Sequence, residues 1–283
     1  MSALVTDRRR APANDRVVSR AHAQDFPDLC AVDPRPSYVA RAVVDLAATP
    51  GGRRERQLRY GDAFDLLEER DGALFGYAPD AAYAGWLPAG SLAPAIQRGA
   101  PTHRVALRHT HVYAAPDMKT PETGALSHLS RLAATGRREG RFTQTELGWV
   151  PTAHLESEQH RDPVAIAGLY LGTPYLWGGN SGFGIDCSGL VQASLAACGL
   201  PCPGDSDQQE LALGDTLPPG TAPQRGDLLF WKGHVALVSA PDEILHANAF
   251  HMAVAVEGLR DAVARIDAQG DGPVTRHARL APA

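Results

Sequence analysis

A cysteine and two histidines in the C-terminal half of the chain have the residue types and the order of a thiol-based catalytic site. Cys187 follows the run Gly184-Ile185-Asp186, and His234 and His246 come later in the chain. A thiol attacks a carbonyl carbon as its thiolate, so a catalytic cysteine needs surroundings that stabilise negative charge and a base that takes its proton. The three residues therefore predict a nucleophile, a general base and a group that orients the base.

The residues after the cysteine predict a helix whose first turn contains Cys187. The run Leu190–Cys198 is compatible with a helix, and Gly199 is the residue type favoured just past a helix end. Cys187 then lies in the first helical turn. There the helix dipole and the backbone N–H groups favour a thiolate, and one of those N–H groups can help to bind an oxyanion.

The two histidines are predicted to lie on neighbouring strands. The short apolar run Asp227–Gly233 ends in a Lys-Gly turn, which places His234 at the start of a strand, and Glu243–Ala249 is typical of the next strand of a hairpin. Side chains on adjacent antiparallel strands approach to about 5 Å, so one imidazole can orient the other. The alternative is that Cys187 is an ordinary buried thiol and both histidines are hydrogen-bonded residues of a sheet. The position of Cys187 near a helix start and the glycine-rich sequence before it favour the catalytic interpretation.

The stretch from Asp162 to Glu257 resembles the NlpC-type cell-wall peptidases, a papain-like family. The matching strings are Thr173–Asn180, Ile185–Leu190, Arg225–Trp231, Gly233–Val238 and His246-Ala247. The resemblance implies that Cys187 is the nucleophile, His234 the base and His246 the orienting residue. It also implies that the Tyr175 hydroxyl donates to the oxyanion, a task for which a phenol is suited. The alternative for Tyr175 is a core aromatic in a Trp-Gly-Gly turn.

Before this stretch, short strand-like runs alternate with turns, a pattern that predicts a small all-β barrel. These runs are Ala42–Leu46, Gln57–Asp62, Ala63–Glu68, Ala73–Tyr77 and Tyr83–Pro88. The string Gly85–Leu92 recurs as Gly148–Leu155, which indicates a duplicated domain. Both copies resemble bacterial SH3-like domains; the alternative is two unrelated β segments that share a common Gly-Trp turn.

The predicted fold class is therefore a multidomain chain with two small all-β SH3-like barrels followed by an α+β papain-like cysteine peptidase domain. The predicted boundaries are an N-terminal arm at 1–36, the first SH3-like domain at 37–95, the second at 96–157 and the peptidase domain at 158–283. The arm is rich in Arg, Asp, Ala and Pro and has no clear periodicity, so it is expected to be irregular.

This order of domains resembles one branch of the family, the γ-D-glutamyl-L-diamino acid endopeptidases of the dipeptidyl-peptidase VI type. The resemblance implies hydrolysis of the γ-D-glutamyl to L-diamino acid bond in murein peptides that have a free N-terminal L-Ala, in the recycling of peptidoglycan peptides. It implies no metal and no organic cofactor. Whether the diamino acid is diaminopimelate or lysine stays open.

The same resemblance implies a set of substrate-binding residues. Tyr83 in the first SH3-like domain would wall the pocket for the alanine end, and Asp186 would bind the substrate ammonium group. Ser188, Asp205 and Ser206 would contact the D-Glu unit. The chain departs from the family pattern at Gly204, where arginine often precedes the Asp-Ser pair. Tyr83 could instead be an aromatic at the domain interface, and Asp186 could cap the helix, a role compatible with ammonium binding.

Composition and charge narrow the classes of partner. The net charge of −5 gives no basic surface for nucleic acid, and the chain has no apolar stretch of the roughly 20 residues that span a bilayer. Arg8-Arg9-Arg10 is followed by polar residues, which does not fit an export signal. Four cysteines, of which one must stay reduced, fit the cytoplasm, and Cys198 and Cys202 are expected to be packing residues.

A second hypothesis is a cell-wall-binding protein with a related amidase or acyltransferase activity. In that case the SH3-like domains would bind wall polymer. The presence of Cys187, His234 and His246 together argues against an inactive domain.

Overall fold

The computed structural model describes residues 7–97 and 99–281 of the chain. The chain divides into two compact units, Met1–Ser157 and Glu158–Ala283, which are taken in turn. Among the described residues, none of the helices combines the length and the apolar character that a membrane crossing requires.

The first unit begins with nine strands. They are β1 (Val17–Ser19), β2 (Cys30–Val32), β3 (Arg35–Val39), β4 (Val43–Ala47), β5 (Arg54–Arg59), β6 (Ala63–Arg70), β7 (Ala73–Ala78), β8 (Tyr83–Pro88) and β9 (Leu92–Pro94). Strands β3 to β9 form one seven-stranded sheet in the order β5-β4-β8-β7-β6-β3-β9. The five strand-like runs of the sequence correspond to β4 through β8, which confirms that prediction.

The N-terminal arm is more regular than its composition predicts. Its strands β1 and β2 pair in parallel, and the 3₁₀ helix Arg20–Asp25 lies between them. The first six residues of the arm lie outside the described residues. Three-residue strands that pair with each other leave no periodicity that the sequence could reveal.

Eight further strands follow in the first unit. They are β10 (His103–Val105), β11 (His109–Tyr113), β12 (Glu122–Ser127), β13 (Arg131–Leu132), β14 (Ala134–Glu139), β15 (Phe142–Thr145), β16 (Gly148–Pro151) and β17 (Leu155–Glu156). They form a five-stranded sheet, β12-β11-β16-β15-β14, and a three-stranded sheet, β13-β10-β17. Two 3₁₀ helices, Ala95–Gln97 and Thr152–His154, complete this part of the chain.

The repeated Gly-Trp string occupies equivalent positions in the two copies. Trp86 on β8 pairs with Ala47, and Trp149 on β16 pairs with Tyr113. A Cβ atom on Gly85 would lie 2.9 Å from the Ala47 carbonyl oxygen, and one on Gly148 would lie 2.8 Å from the Tyr113 carbonyl oxygen. The glycine is therefore required because the paired strand approaches so closely, and the shared packing supports a duplication.

An arginine covers the tryptophan ring in each copy. The guanidinium carbon of Arg70 lies 4.9 Å from the centre of the Trp86 ring, and that of Arg137 lies 5.1 Å from the centre of the Trp149 ring. Such cation–π contacts contribute about 0.5–1 kcal/mol at exposed sites.

The second unit combines a sheet with four helices. Its strands are β18 (Asn180–Ser181), β19 (Gly184–Ile185), β20 (Asp215–Thr216), β21 (Leu228–Trp231), β22 (His234–Ala240), β23 (Glu243–Asn248), β24 (Ala253–Gly258) and β25 (Arg276–Arg279), and its helices are α1 (Pro163–Gly168), α2 (Cys187–Ala197), α3 (Ser206–Ala212) and α4 (Leu259–Ala268). The antiparallel six-stranded sheet has the order β20-β25-β21-β22-β23-β24. This is the predicted α+β arrangement.

Helix α2 is buried at every residue except Ala196. Its buried polar side chains are hydrogen-bonded: Gln192 Nε2 donates to the Cys202 carbonyl at 3.0 Å, and Ser194 Oγ donates to the Leu190 carbonyl at 2.7 Å. Gly199, with a φ of +72°, ends it, and the Leu200 N–H donates to the Leu195 carbonyl at 2.9 Å. This is the helix end predicted from the sequence. A helix held on all sides fixes the position of its first residue, Cys187.

A buried ionic cluster fastens β25 to the sheet. The Asp227 carboxylate is 1% exposed, and it accepts hydrogen bonds from Arg279 Nε at 2.7 Å, Arg279 Nη2 at 2.8 Å and His277 Nε2 at 2.7 Å. Burial raises the pKa of Asp227, but the bonds from Arg279, the Gln224 N–H and His277 outweigh it and hold the pKa below its usual value.

Asp227→Asn is expected to destabilise the second unit, because His277 and Arg279 lose their charged acceptor. A carboxyl whose folded pKa is lowered stabilises the fold above its unfolded pKa of about 3.9, and that stabilisation is lost as the pH falls through the folded pKa. Urea unfolding between pH 7 and pH 2.5 should therefore show a flatter acid limb in Asp227→Asn. The exposed Asp242→Asn is the control, and equal acid limbs in all three proteins would contradict this account.

Candidate active site

Cys187 is the first residue of α2, and Asp186 is its N-cap. Asp186 Oδ1 accepts from the Gly189 N–H at 2.6 Å and from Ser188 Oγ at 3.0 Å, and Oδ2 accepts from the Gly178 N–H at 2.8 Å. The carboxylate thus connects Gly178, in the loop before the helix, to the first turn of α2. The capping role of Asp186 is confirmed, and its contact with a substrate ammonium stays a prediction.

The turn before β22 places the residue that precedes His234 next to the cysteine. Cys187 Sγ lies 4.0 Å from the carbonyl oxygen of Gly233, the residue that precedes His234. Gly233 has a φ of +76°, which allows the tight connection between Trp231 and His234, the last pair of the β21-β22 ladder. His234 begins its strand, as the sequence predicts.

Three adjacent strands carry three polar side chains along one diagonal. Leu237 pairs with Leu245, so the register continues to place His246 beside Ala236, on the same face as His234. His246 pairs with Ala255 on β24, and Glu257 lies two residues further on that same face. Sheet register alone therefore aligns His234, His246 and Glu257.

The side chains form a continuous hydrogen-bonded relay. His234 Nε2 lies 2.9 Å from His246 Nδ1, and His246 Nε2 lies 3.1 Å from Glu257 Oε2. Arg265 on α4 donates to Glu257 through Nε at 2.9 Å and Nη2 at 2.7 Å. His246 is fully buried, so each of its ring nitrogens depends on this relay for a partner.

The relay fixes the tautomer of both imidazoles. A carboxylate only accepts, so His246 Nε2 carries a proton and His246 Nδ1 is an acceptor. His234 Nε2 must then donate to His246, which leaves the lone pair of His234 on Nδ1. That nitrogen can accept the thiol proton of Cys187.

The acid–base states support this assignment. Burial lowers the pKa of His234 to about 3 and that of His246 to about 4, so both rings are neutral near pH 7. The hydrogen bond from Arg265 lowers the pKa of Glu257 and keeps it ionised, although burial opposes this. A neutral His234 is the form that can act as a base.

Tyr175 lies close to the nucleophile. Burial raises its pKa, and the nearby Cys187 and Asp186 raise it further. Its backbone N–H donates to the Met252 carbonyl at 2.9 Å, and it bridges to Ile185 beside the helix start. The hydroxyl stays protonated at neutral pH, as an oxyanion donor must; its role in the reaction stays a prediction.

The proposed D-Glu contacts lie near one another in the fold. Ser188 follows the nucleophile, Asp205 is the N-cap of α3 and Ser206 is the first residue of that helix. Gln209 Nε2 on α3 donates to the Ser188 carbonyl at 2.9 Å and to the Pro203 carbonyl at 3.0 Å. This buried amide holds the 203–206 segment beside the start of α2.

Tyr83 belongs to the hydrophobic core of the first barrel. Its side chain is 1% exposed and packs in one cluster with Val39, Phe64 and Leu87. Packing in this core is a sufficient reason for an aromatic side chain at this position. Contact between Tyr83 and a substrate stays a prediction.

Two residues of the relay, Glu257 and Arg265, were not predicted from the sequence. Glu257 follows the apolar run Ala253–Val256, which has no polar alternation that could have marked the face of His246. Arg265 gives no signal either, because its position depends on how α4 packs against the sheet. Within the described part of the chain the four cysteines, Cys30, Cys187, Cys198 and Cys202, form no disulfide.

Comparison with protein families agrees with the geometry. Residues 172–265 match the model of the NlpC/P60 family, and residues 46–92 match the bacterial dipeptidyl-peptidase SH3 domain. The first match contains Cys187, His234, His246, Glu257 and Arg265.

Two curated relatives are similar over part of the chain. A γ-D-glutamyl-L-lysine dipeptidyl-peptidase of Bacillus subtilis (strain 168) is 35% identical over 111 residues, which cover 36% of this chain and 36% of the relative. Dipeptidyl-peptidase 6 of Lysinibacillus sphaericus is 37% identical over 97 residues, which cover 33% of this chain and 35% of the relative. The matches thus span about a third of each relative's length.

A solved structure extends the likeness in fold to most of the chain. The crystal structure of an NlpC/P60 family protein from Bacillus cereus ATCC 10987 aligns with a TM-score of 0.73 at 18% identity, over 87% of this chain and 100% of that chain. The likeness to this solved structure concerns the fold, while the two family matches identify residues 172–265 of the present chain as an NlpC/P60 domain and residues 46–92 as a bacterial dipeptidyl-peptidase SH3 domain.

Proposed function

We propose that the protein is a cysteine peptidase that hydrolyses the γ-D-glutamyl to L-diamino acid bond of murein peptides with a free N-terminal L-Ala. The observation that carries the proposal is the relay from His234 through His246 to Glu257, placed beside the thiol at the start of α2. The curated relatives named for γ-D-glutamyl-L-lysine and dipeptidyl-peptidase activity support the choice of bond.

The reaction follows from the protonation states. His234 Nδ1 takes the proton of Cys187, and the thiolate attacks the γ-carbonyl carbon of D-Glu. The oxyanion accepts hydrogen bonds from the Cys187 N–H and the Tyr175 hydroxyl. When the C–N bond breaks, the proton on His234 passes to the departing amine. Water then attacks the thioester, His234 takes its proton, and Cys187 leaves as the thiol.

Substrate binding is assigned to polar groups around the start of α2. The Asp186 carboxylate binds the ammonium group of the N-terminal L-Ala in addition to capping the helix. Ser188, Asp205 and Ser206 bind the D-Glu unit. A charge-assisted contact to a free amine explains why a peptide still attached to muramic acid through that nitrogen would be a poor substrate. The proposed role is therefore peptide recycling in the cytoplasm.

Product analysis tests the proposed bond. The full chain is incubated with L-Ala-γ-D-Glu-diaminopimelate and separately with L-Ala-γ-D-Glu-L-Lys, and the products are identified by mass. Release of the intact dipeptide L-Ala-D-Glu and of the free diamino acid is the expected result. Release of alanine, or dipeptide release from intact sacculi as fast as from the free tripeptide, would contradict the proposal.

Selectivity for the free amine should depend on Asp186. In Asp186→Asn, the ratio of kcat/KM for the free tripeptide over its N-acetylated form should fall by about 10- to 100-fold, because a lost charge-assisted bond costs about 1.5–3 kcal/mol. Asparagine keeps an oxygen for the Gly189 N–H, so the helix cap survives, and only the bond from the Gly178 N–H is lost. Asp207→Asn, in the first turn of α3, is the control. An unchanged ratio would remove Asp186 from ammonium binding.

A further inference from the structure

One group of described residues that could hold a metal ion lies on the catalytic relay itself. His246, His251 and Glu257 each offer a ligand atom, and the three atoms lie within 4.8 Å of one another. His246 is buried, Glu257 is half-buried and His251 is exposed on the turn between β23 and β24. The cluster is therefore open to solvent on the His251 side.

The surroundings of His251 prepare it as a ligand. The Asn248 side-chain oxygen accepts from the His251 backbone N–H at 2.7 Å and lies 3.1 Å from His251 Nδ1. An oxygen that already accepts a backbone N–H is an acceptor, so His251 Nδ1 carries the ring proton and its Nε2 carries the lone pair. Ligating histidines in metal sites ordinarily have this support, with the second nitrogen donating to an oxygen.

The spacing of His246 and Glu257 suits a tetrahedral ion. Ligand atoms about 2.1 Å from a zinc ion are about 3.4 Å apart, and His246 Nε2 and Glu257 Oε2 are already 3.1 Å apart. A rotation of the exposed His251 ring can bring the third atom to that separation. Two imidazoles and one carboxylate, with the fourth position open to water, form a ligand set typical of Zn²⁺.

We propose that His246, His251 and Glu257 form an inhibitory Zn²⁺ site that switches the catalytic relay off. The inhibition, unlike the binding, rests on the proposed function. A metal on His246 Nε2 takes its lone pair, so the ring proton moves to Nδ1 and is donated to His234 Nε2. His234 must then carry its own proton on Nδ1, the nitrogen that otherwise accepts the thiol proton of Cys187. The bound ion thereby exchanges the tautomers of both rings and removes the base.

Arg265 makes this binding reversible. Its guanidinium holds Glu257 through two hydrogen bonds, at 2.9 and 2.7 Å, and repels a divalent cation at the same carboxylate. The ion must displace the hydrogen bond from His246 to Glu257 and tolerate this positive charge. The site is thus suited to an ion that binds and leaves as its concentration changes.

Direct binding tests the site without reference to hydrolysis. Zn²⁺ is titrated into full-length Cys187→Ala, and binding is measured by calorimetry. This substitution removes the catalytic thiol as a competing ligand. One equivalent should bind, and His251→Ala in the same background should weaken binding by about 100-fold, since a lost ligand costs at least as much as a lost supporting group. His111→Ala, an exposed histidine outside the cluster, is the control. Equal binding in the His251→Ala and His111→Ala proteins would overturn the proposal.

Activity then tests the switch. With Cys187 present, Zn²⁺ should inhibit tripeptide hydrolysis by the wild type, and His251→Ala should need about 100-fold more Zn²⁺ for the same inhibition while its metal-free rate is unchanged. Inhibition of equal strength in both proteins would locate the metal at Cys187 and His234 and reject the site. If neither protein hydrolysed the tripeptide, the proposed function would fail, and the calorimetric result would still decide the metal site.

Discussion

Replacing Cys187 with alanine is expected to abolish hydrolysis of the tripeptide, and His234→Ala should do the same, with kcat/KM lower by a factor on the order of 10,000 or more. Nucleophile and base act as a unit, so removal of either one removes covalent catalysis. For the same reason the double variant should be no slower than the single ones. The measurement is release of the diamino acid under initial-rate conditions.

Two controls separate this loss from misfolding. Cys30→Ala changes an exposed free thiol and should retain the wild-type rate. The unfolding temperature of Cys187→Ala should stay near that of the wild type, because the substitution removes only one sulfur atom at the start of the helix. Turnover by Cys187→Ala at the wild-type rate would refute the assignment of the nucleophile.

His246→Ala should lower kcat by about 100- to 1,000-fold, whereas His246→Asn should lose much less. The proposed task of His246 is to accept from His234 Nε2 and so hold the lone pair of His234 toward the thiol. An asparagine oxygen can take the position of His246 Nδ1 and accept the same bond, and alanine cannot. The measurement is kcat at saturating tripeptide for both variants.

The stability of the His246 variants must be measured beside their activity. His246 is fully buried, so His246→Ala leaves a cavity and should unfold at a lower temperature than His246→Asn. If the two variants were equally slow while both kept the wild-type fold at the assay temperature, an orienting role for His246 would be excluded.

The positions of Cys187 and His234 were predictable because they depend on short stretches of neighbouring sequence. A helix start, a Lys-Gly turn and a strand start are each set by a few neighbouring residues, and they position Cys187 and His234. His246 required one further step, the assumption that the next strand-like run pairs with β22. The register between β22 and β23 confirms that step.

The remaining parts of the site depend on tertiary packing. Glu257 joins the relay only because a second hairpin continues the diagonal onto β24, and Arg265 joins because α4 lies over that strand. The sequence around Tyr83 does not distinguish inward from outward packing. Its burial in the barrel core could therefore be established only from the folded structure. The pairing of β1 with β2 in the arm could not be predicted either, because it also depends on the folded structure.

The most direct test of the relay is the rate at which each cysteine is alkylated by iodoacetamide at pH 6.5, followed by mass spectrometry of the peptides. Cys30 is exposed and serves as the reference within the same molecule, while Cys187 is buried to 7% exposure. We expect Cys187 to react at least about tenfold faster than Cys30 in the wild type, because neutral His234 takes the thiol proton and only a thiolate is nucleophilic. This advantage should be lost in His234→Ala. A Cys187 that reacts no faster than Cys30, or that reacts equally fast without His234, would contradict the assignment of His234 as the base.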